Sequence, residues 1–400
     1  MNFRAALTVC LLGLAAAALA GSAALVFAAA AAILLLAFVR YARLHVFDGL
    51  EYARTLSRGV SAWGGEIEVT TTIANRKWLP VIWLRVVDQW PASVEPLRTV
   101  MRRSYKATYL LDQALTVRWY ERVRRHYAGR CAERGVHRFG PASMEASDPF
   151  GMTAAVDELV GSAQLIVLPK VLAVPELELL LGRPLVGAPV RRSLARDRAS
   201  FIGVRRYQSG DPLRAVNWRA TARASTLQVN EWEPTTTAAV KLLLNTRVHE
   251  YVHEGTGADE IELLLVVAAS LTVALGRLGW AVGLASNAYL SGQWGAIDIE
   301  PSSGSEAEIL ETLARVIALP PSTMNEVLRR ELAADAGTTE YLVVTAGLHG
   351  GLAPQLARLR ELAPTHVIYV GAVPEQAREL IDWCIPADFD WREQDDLPLA

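Results

Sequence analysis

Few residues in this 400-residue chain have the types and spacing that chemistry needs. Cys131 lies between His126 and His137, so a thiol and two possible bases share one short stretch. A thiol nucleophile needs a base in contact and a third group to orient that base. Closeness along a strand-rich segment supplies neither, and the reading of Cys131 is a buried core residue. A second grouping falls in Phe201–Glu233, FIGVRRYQSGDPLRAVNWRATARASTLQVNEWE, where Asp211 and Arg214 stand among further arginines. An acid beside an arginine can orient a polar substrate. The same Asp211-Pro212 step is also a good helix start, since Asp caps free backbone N–H groups and Pro gives up an N–H that would be unpaired anyway. No serine elbow, HExxH helix, Walker loop or GxGxxG turn occurs. The three cysteines, Cys10, Cys131 and Cys384, lie too far apart for a disulfide framework or a zinc spacing, and they suit a reducing compartment.

The elements that must position these residues fall into four segments. Residues 1–45 read as a transmembrane helical hairpin, because Ala5 to Val39 holds no charged residue. That stretch exceeds the ~20 residues one span needs and suits two short spans broken at Gly21-Ser22. Arg4, Arg40 and Arg43 flank it while the turn is uncharged, which places both ends in the cytoplasm by the positive-inside rule. A cleaved signal peptide ending at Ala18-Leu19-Ala20 is the rival reading. Residues 46–170 alternate polar and apolar in short runs, as at Glu66–Thr70, and read as a β-sandwich. Residues 171–237 form a Pro-, Leu- and Arg-rich connector that ends in the arginine-rich motif. There a helix is expected from Asp211 to about Arg223, followed by an edge strand over Thr226–Trp232. Residues 238–400 alternate strand and helix, which predicts a doubly wound sheet. Its strands are expected over Val240–Leu244, Trp280–Ser286, Tyr341–Thr345 and His366–Val370. Its helices are expected over Asp259–Leu278, Ser305–Leu319, Met324–Ala334, Leu352–Leu362 and Pro374–Trp383. A crevice in such a sheet lies at the carboxyl ends of its strands, near Asn245, Ser286, Thr345 and Gly371.

The arginine-rich motif resembles the signature of the bacterial family called domain of unknown function 58. The resemblance rests on Arg206-Tyr207, Gly210-Asp211, Arg214, Trp218 and Ala222-Arg223. It implies a fold class of α/β plus all-β: two N-terminal spans, a β-rich middle and a von Willebrand factor A-like domain. Such domains often hold Mg²⁺ through an Asp-x-Ser-x-Ser run after the first strand, since this hard cation takes oxygen ligands. Here the equivalent positions are Asn245, Arg247 and His249. An amide, a cation and an imidazole argue against a metal, and no cofactor is expected. The resemblance also implies a partner, a MoxR-type AAA+ ATPase, and a non-catalytic adaptor role in assembly or maturation at the membrane.

Formal net charge is −2, so no global field draws the chain to nucleic acid. Local charge is uneven, with eleven Lys or Arg against three acids from Arg98 to Arg138. That run reads as a solvated sheet face or a contact with anionic lipid before it reads as a nucleic-acid surface. The motif itself reads as a latch with Trp218 packed between the domains and Arg214 and Arg223 paired with Glu231 or Glu233. Its functional alternative is a protein-docking surface. Two other functions stay open: an envelope-associated enzyme using the crevice near Asn245 with Asp211 and Arg214, and a nucleic-acid binder.

Overall fold

A computed structural model describes residues 3–104, 108–147, 154–159, 161–175, 177, 201–207, 216–224, 226–232, 239–250, 257–291, 297–317, 323–333, 339–386 and 388–399. The turn expected at Asp148–Gly151 lies outside them. The chain divides into two compact units, Met1–Leu168 and Pro169–Ala400.

The first unit opens with helices α1 (Phe3–Leu19) and α2 (Ala23–Leu44), joined by a turn in which Gly21 takes a φ of 69°. Among the described residues, only α2 is long and apolar enough to cross a membrane. At 1.5 Å per residue its 22 residues reach ~33 Å, whereas the 17 of α1 reach ~26 Å, short of the ~30 Å hydrocarbon layer. Strands follow in quick succession: β1 (Leu50–Leu56), β2 (Val60–Ser61), β3 (Glu66–Asn75), β4 (Val81–Pro91), β5 (Val94–Leu97) and β6 (Arg102–Arg103). After these come β7 (Thr108–Val117), β8 (Arg122–Cys131), β9 (Gly135–Phe139), β10 (Ala142–Ser147), β11 (Ala154–Leu159) and β12 (Ala163–Val167). They form sheets in the orders β1-β3-β8-β5, β11-β10-β4-β7-β6 and β2-β12-β9. Alternation decides which side chains go in. Ile67, Val69 and Ile73 of β3 turn inward and meet Leu84, Val86 and Trp90 of β4, together with Phe139 and Leu165 of the small sheet. One ion pair sits inside this apolar packing. Arg54 and Asp88 are each 4% exposed, and the Arg54 guanidinium also donates to the Phe139 carbonyl at 2.8 Å. The Tyr52 hydroxyl donates to the same carboxylate at 2.6 Å, and burial with the Asp88 charge drives its pKa far above the ordinary phenol value.

The second unit begins earlier than the alternation implies, because its first residues are pinned. The Lys170 ammonium donates to the carbonyls of Trp391, Arg392 and Gln394, and Ala173 exchanges backbone hydrogen bonds with Asp395 and Leu397. Strands β13 (Phe201–Arg206) and β14 (Gln228–Trp232) form an antiparallel ribbon around helix α3 (Trp218–Ala224). The main sheet uses β15 (Ala239–Asn245), β16 (Ala281–Ser286), β18 (Ile297–Ser302), β20 (Thr339–Thr345), β21 (Thr365–Val370) and β22 (Trp383–Ile385). Its order is β18-β16-β15-β20-β21-β22. All its pairings are parallel except that of β18, an antiparallel edge. A small ribbon pairs β17 (Tyr289–Leu290) with β19 (Val316–Ile317). Helices α4 (Ala258–Arg277) and α5 (Glu306–Arg315) cover one face. Helices α6 (Met324–Ala333) and α7 (Leu352–Leu362) cover the other, resting on Leu243, Val343 and Val367.

Three expected helix limits are corrected. The helix expected to reach Leu319 stops at Arg315, because Val316 and Ile317 pair with β17. The one expected over Pro374–Trp383 is a 3-10 turn, Glu375–Leu380, since Trp383 enters β22. The helix expected to run unbroken from Asp211 to about Arg223 is interrupted at Val216, which forms a β-bridge with Val229, and its described part is Trp218–Ala224; Asp211 lies outside the described residues.

Lys241 is the one charge in the apolar centre of β15, and it is 4% exposed. Its ammonium lies 2.9 Å from Glu331 on α6, 2.8 Å from Asp298 and 3.1 Å from Glu300, both on β18. Its neighbour in register on β16 is Gly283, where an added Cβ would come within 2.7 Å of the Ile299 carbonyl. The missing side chain lets β18 approach and clears the path of the lysine to it. Burial alone would lower the Lys241 pKa, but the three carboxylates hold it above the ordinary lysine value. Tyr341 donates to Glu331 at 3.3 Å, and burial first, then that carboxylate, push its pKa up to about 12.

Lys241→Met strands the buried Glu331 carboxylate, so a loss of roughly 3–5 kcal/mol is expected in urea unfolding at pH 7. A raised folded-state pKa gives stability that is full below the unfolded value of about 10.4 and fades as pH climbs above it. The gap between wild type and variant therefore narrows above about pH 10.5; a gap that widens there contradicts the assignment.

Candidate functional site

The motif is built on the β13–β14 ribbon. Asn217 starts its helix: the side-chain oxygen accepts the Ala220 N–H at 2.9 Å and the backbone carbonyl accepts that of Thr221 at 2.9 Å. This is the side-chain cap that a short helix needs at its first turn. Val216, Val229 and Tyr207 form the apolar patch beneath. The residues that the sequence singles out separate here. Tyr207 is half-buried against that patch, while Arg206, Ala222 and Arg223 are exposed. Trp218, expected to be packed away between domains, is 68% exposed, because it occupies the first turn of α3 and the patch is filled by Val216 and Tyr207. Gly210, Asp211 and Arg214 lie outside the described residues.

The second candidate lies at the carboxyl end of β15. Asn245 is 2% exposed. Its amide nitrogen donates to the Thr345 hydroxyl and to the Gly347 carbonyl, each at 3.0 Å. Its amide oxygen accepts from the Asn287 side chain at 2.8 Å and from the Arg247 N–H at 3.1 Å. An amide has two donors and two acceptor lone pairs, so every hydrogen-bonding position of Asn245 is used. Asn287 also accepts the Thr246 N–H at 3.0 Å, and Ser286 donates to the Leu244 carbonyl at 2.8 Å. The Arg247 guanidinium turns back to the carbonyls of His249 and Glu250. His349 donates to the Val248 carbonyl at 2.9 Å. The cavity beside this network, lined by Asn245, Arg247, Asn325 and His349 among others, holds about 20 Å³. That is room for a single water, and the buried Asn325 side-chain oxygen, which has no protein partner, gives such a water an acceptor. Thus the structure joins Asn245 to Thr345 and Ser286's neighbour Asn287, while Gly371 takes no part in this network. Asn287, Asn325 and His349 are not singled out by sequence; Asn287 follows an apolar strand directly, and that position is the available signal.

Cys131 is fully buried with Trp90 and Val94, and burial raises its pKa. His126 pairs with Glu68 at 2.7 Å on the sheet surface, and His137 is held by the Ser93 hydroxyl at 2.7 Å and the Glu133 carbonyl at 2.8 Å. Each imidazole is engaged elsewhere, and the thiol is a core residue.

The motif, Asn245 and Asn287 fall within one matched segment, and Thr345 and Gly347 lie just beyond its end. Residues 203–342 match the family model described as protein of unknown function DUF58. That segment belongs to the DUF58 family. A relative is the uncharacterized protein YeaD of Bacillus subtilis (strain 168), 24% identical over 262 residues, or 63% of this chain. The match spans 60% of YeaD's own length. Among solved structures, the CARDB domain of a Pyrococcus furiosus protein matches with a TM-score of 0.20 and 12% identity, covering 30% of this chain and 90% of that one. A cohesin module from a Clostridium perfringens family 33 glycoside hydrolase matches with a TM-score of 0.20 and 8% identity, covering 30% and 96%. The DUF58 segment thus runs from Gly203 in β13 to Leu342 in β20, and includes Lys241 as well as Asn245.

Asn245→Asp keeps the shape of the side chain but turns two donated hydrogen bonds into two facing acceptors. A stability loss of roughly 1–3 kcal/mol is expected, because a buried acceptor left facing acceptors costs its desolvation. The loss should shrink as pH falls, starting above the ordinary Asp range, because burial raises the pKa of the new carboxyl and its protonated form can donate again. Thermal melts of both chains check it, and an unchanged melting temperature at pH 7 contradicts the network.

Proposed function

We propose that the chain is a membrane-anchored, non-catalytic adaptor that works with a MoxR-type AAA+ ATPase in protein assembly or maturation at the membrane. In this reading α1 and α2 both span the bilayer and the two folded units lie on the cytoplasmic side. The β-rich part is a sandwich, and the sheet around β15 is a von Willebrand factor A-like domain that has lost its metal chemistry. One observation carries the non-catalytic part: Asn245 spends its whole amide on Thr345, Gly347, Asn287 and Arg247, beside a cavity of about 20 Å³. The polar groups that would orient a substrate there are engaged with one another. The 68% exposure of Trp218, with Arg219 and Arg223 exposed on the same short helix, supports a docking surface in place of a latch. Tryptophan and arginine are the side chains that dominate binding energy at protein interfaces.

The test is capture of a purified MoxR-type ATPase by the detergent-solubilised full chain. Trp218→Ala is expected to leave unfolding within about 0.5 kcal/mol of wild type, as exposed substitutions do. It should weaken ATPase capture by roughly thirtyfold, the loss of an interface anchor worth about 2 kcal/mol. Equal capture by both chains removes Trp218 from the interface, and no capture by the wild type removes the adaptor reading. For topology, an Arg392→Cys chain, changed at an exposed position, is expected to gain labelling by a membrane-impermeant thiol reagent only after cell lysis.

A further inference from the structure

The end of the β-rich unit nearest α2 is unusually rich in exposed aromatic surface. Trp78 is 55% exposed, Trp83 40%, Trp119 64% and Tyr120 70%, with Ile82 beside them at 47%. Trp78 stands in the β3–β4 turn, Ile82 and Trp83 in the first residues of β4, and Trp119 and Tyr120 in the β7–β8 turn. Hydrogen bonds fasten these segments together. The Asn75 side chain donates to the carbonyls of Leu79 and Arg118, each at 2.9 Å, and the Tyr120 N–H donates to the Lys77 carbonyl at 3.3 Å. Tyr120 sits at a φ of 52°, a conformation disfavoured for a bulky side chain, in a turn that presents two aromatic rings to the outside.

The same turns hold the end of α2. The Lys77 ammonium donates to the His45 carbonyl at 2.7 Å and to that of Val46, just past the last residue of the helix. Trp78 stacks on Tyr41 of α2 with ring centroids 6.5 Å apart. The aromatic end is therefore fixed against the point where the apolar helix stops. Residues 40–51, 76–78 and 118–122 together carry six Lys or Arg against three acids.

We propose that this end of the β-rich unit is a seat on the bilayer surface, with Trp78, Trp83, Trp119 and Tyr120 lying in the headgroup zone of an anionic membrane. Tryptophan and tyrosine settle at that depth because each ring has an apolar body and a polar handle. The basic excess complements anionic headgroups within a Debye length of the surface. Continuity with α2 selects lipid over a protein occupant: the residues that hold and stack on the end of the spanning helix belong to the turns that carry the exposed rings. The seat extends the anchor from the spanning helices to a collar of turns, so the β-rich unit is oriented by the membrane and not merely tethered to it. This inference rests on α2 spanning the bilayer.

The test reconstitutes the full chain in vesicles of phosphatidylethanolamine and phosphatidylglycerol, with bromine atoms placed either near the headgroups or deep in the acyl chains. Shallow bromines are expected to quench wild-type tryptophan fluorescence more than deep ones. The Trp78→Ser/Trp119→Ser chain should lose roughly half of that excess, since its depth-specific part comes from interfacial rings. Trp119→Phe, which keeps an aromatic ring, checks that the double variant's loss is not misfolding: its melting temperature should match wild type and its shallow excess should fall. A chain that resists alkaline extraction yet shows the same shallow excess in the double variant overturns the seat and leaves the anchor standing. Free quenching of the collar tryptophans by aqueous acrylamide also overturns the seat, and assigns the rings to a protein partner. A chain released by alkaline extraction overturns the spanning reading of α2 and the seat with it.

Discussion

One face of one strand sets the architecture of the second unit. Along β15, Lys241, Leu243 and Asn245 point to the same side at two-residue spacing, and each makes a different demand. Leu243 needs an apolar cover, which α6 and α7 provide. Lys241 needs carboxylates at one end of that cover, and Glu331 near the end of α6 meets it there with Asp298 and Glu300 of β18. Asn245 needs two acceptors and two donors at the other end, where the first turns of α6 and α7 lie. A buried ammonium and a buried amide are both costly when unpaired and nearly neutral when fully paired. They therefore do less to raise stability than to exclude other arrangements: a helix shifted along the sheet by one turn would strand a charge.

The same demands separate what is legible in the sequence from what is not. Strands buried on both faces appear as apolar runs, so β15, β16, β20 and β21 can be read within a residue or two, and the 3.6-residue period places α7 at Leu352–Leu362. The edge strands β18 and β22 cannot. Ile297–Ser302 is IDIEPS, a run with two acids and a proline whose strand character depends on Lys241 and on the space that Gly283 leaves. Trp383–Ile385 is three residues long, too short for any period to show. At the family motif, Val216 and Ala220 fit a helical spacing, but at Val216 a tertiary pairing with Val229 takes precedence over it.

The candidate site divides the same way. Asn245 is legible as a position, because it ends a central parallel strand where such sheets bind ligands, whereas Arg247 and His249 are singled out only through the resemblance. The closing of the network is not, since the partners Asn287, Thr345 and Gly347 come from strand ends about 40 and 100 residues away. In the β-rich unit the sequence shows basic residues interleaved with aromatic ones along Arg98–Arg138. It cannot show that Trp119 and Tyr120 project from the same end as Trp78, because hydrogen bonds between distant turns put them there.

Where function can reside in such a chain follows from these contrasts. At the crest of the main sheet Asn245, Thr345 and Asn287 bond to one another, and the Cys131 thiol is buried in apolar packing. Several of the large side chains left at the surface are aromatic: Trp218 on α3, and Trp78, Trp83 and Trp119 on turns and first strand residues of the β-rich unit. Exposing such rings costs solvation that a folded chain ordinarily recovers by burying them. Their placement on a short helix and on hydrogen-bonded turns fits the docking and membrane-seating roles proposed above. Lys77, Asn75 and Asn217 fix the backbones that carry these rings through hydrogen bonds from their side chains or, for Asn217, to its side-chain oxygen.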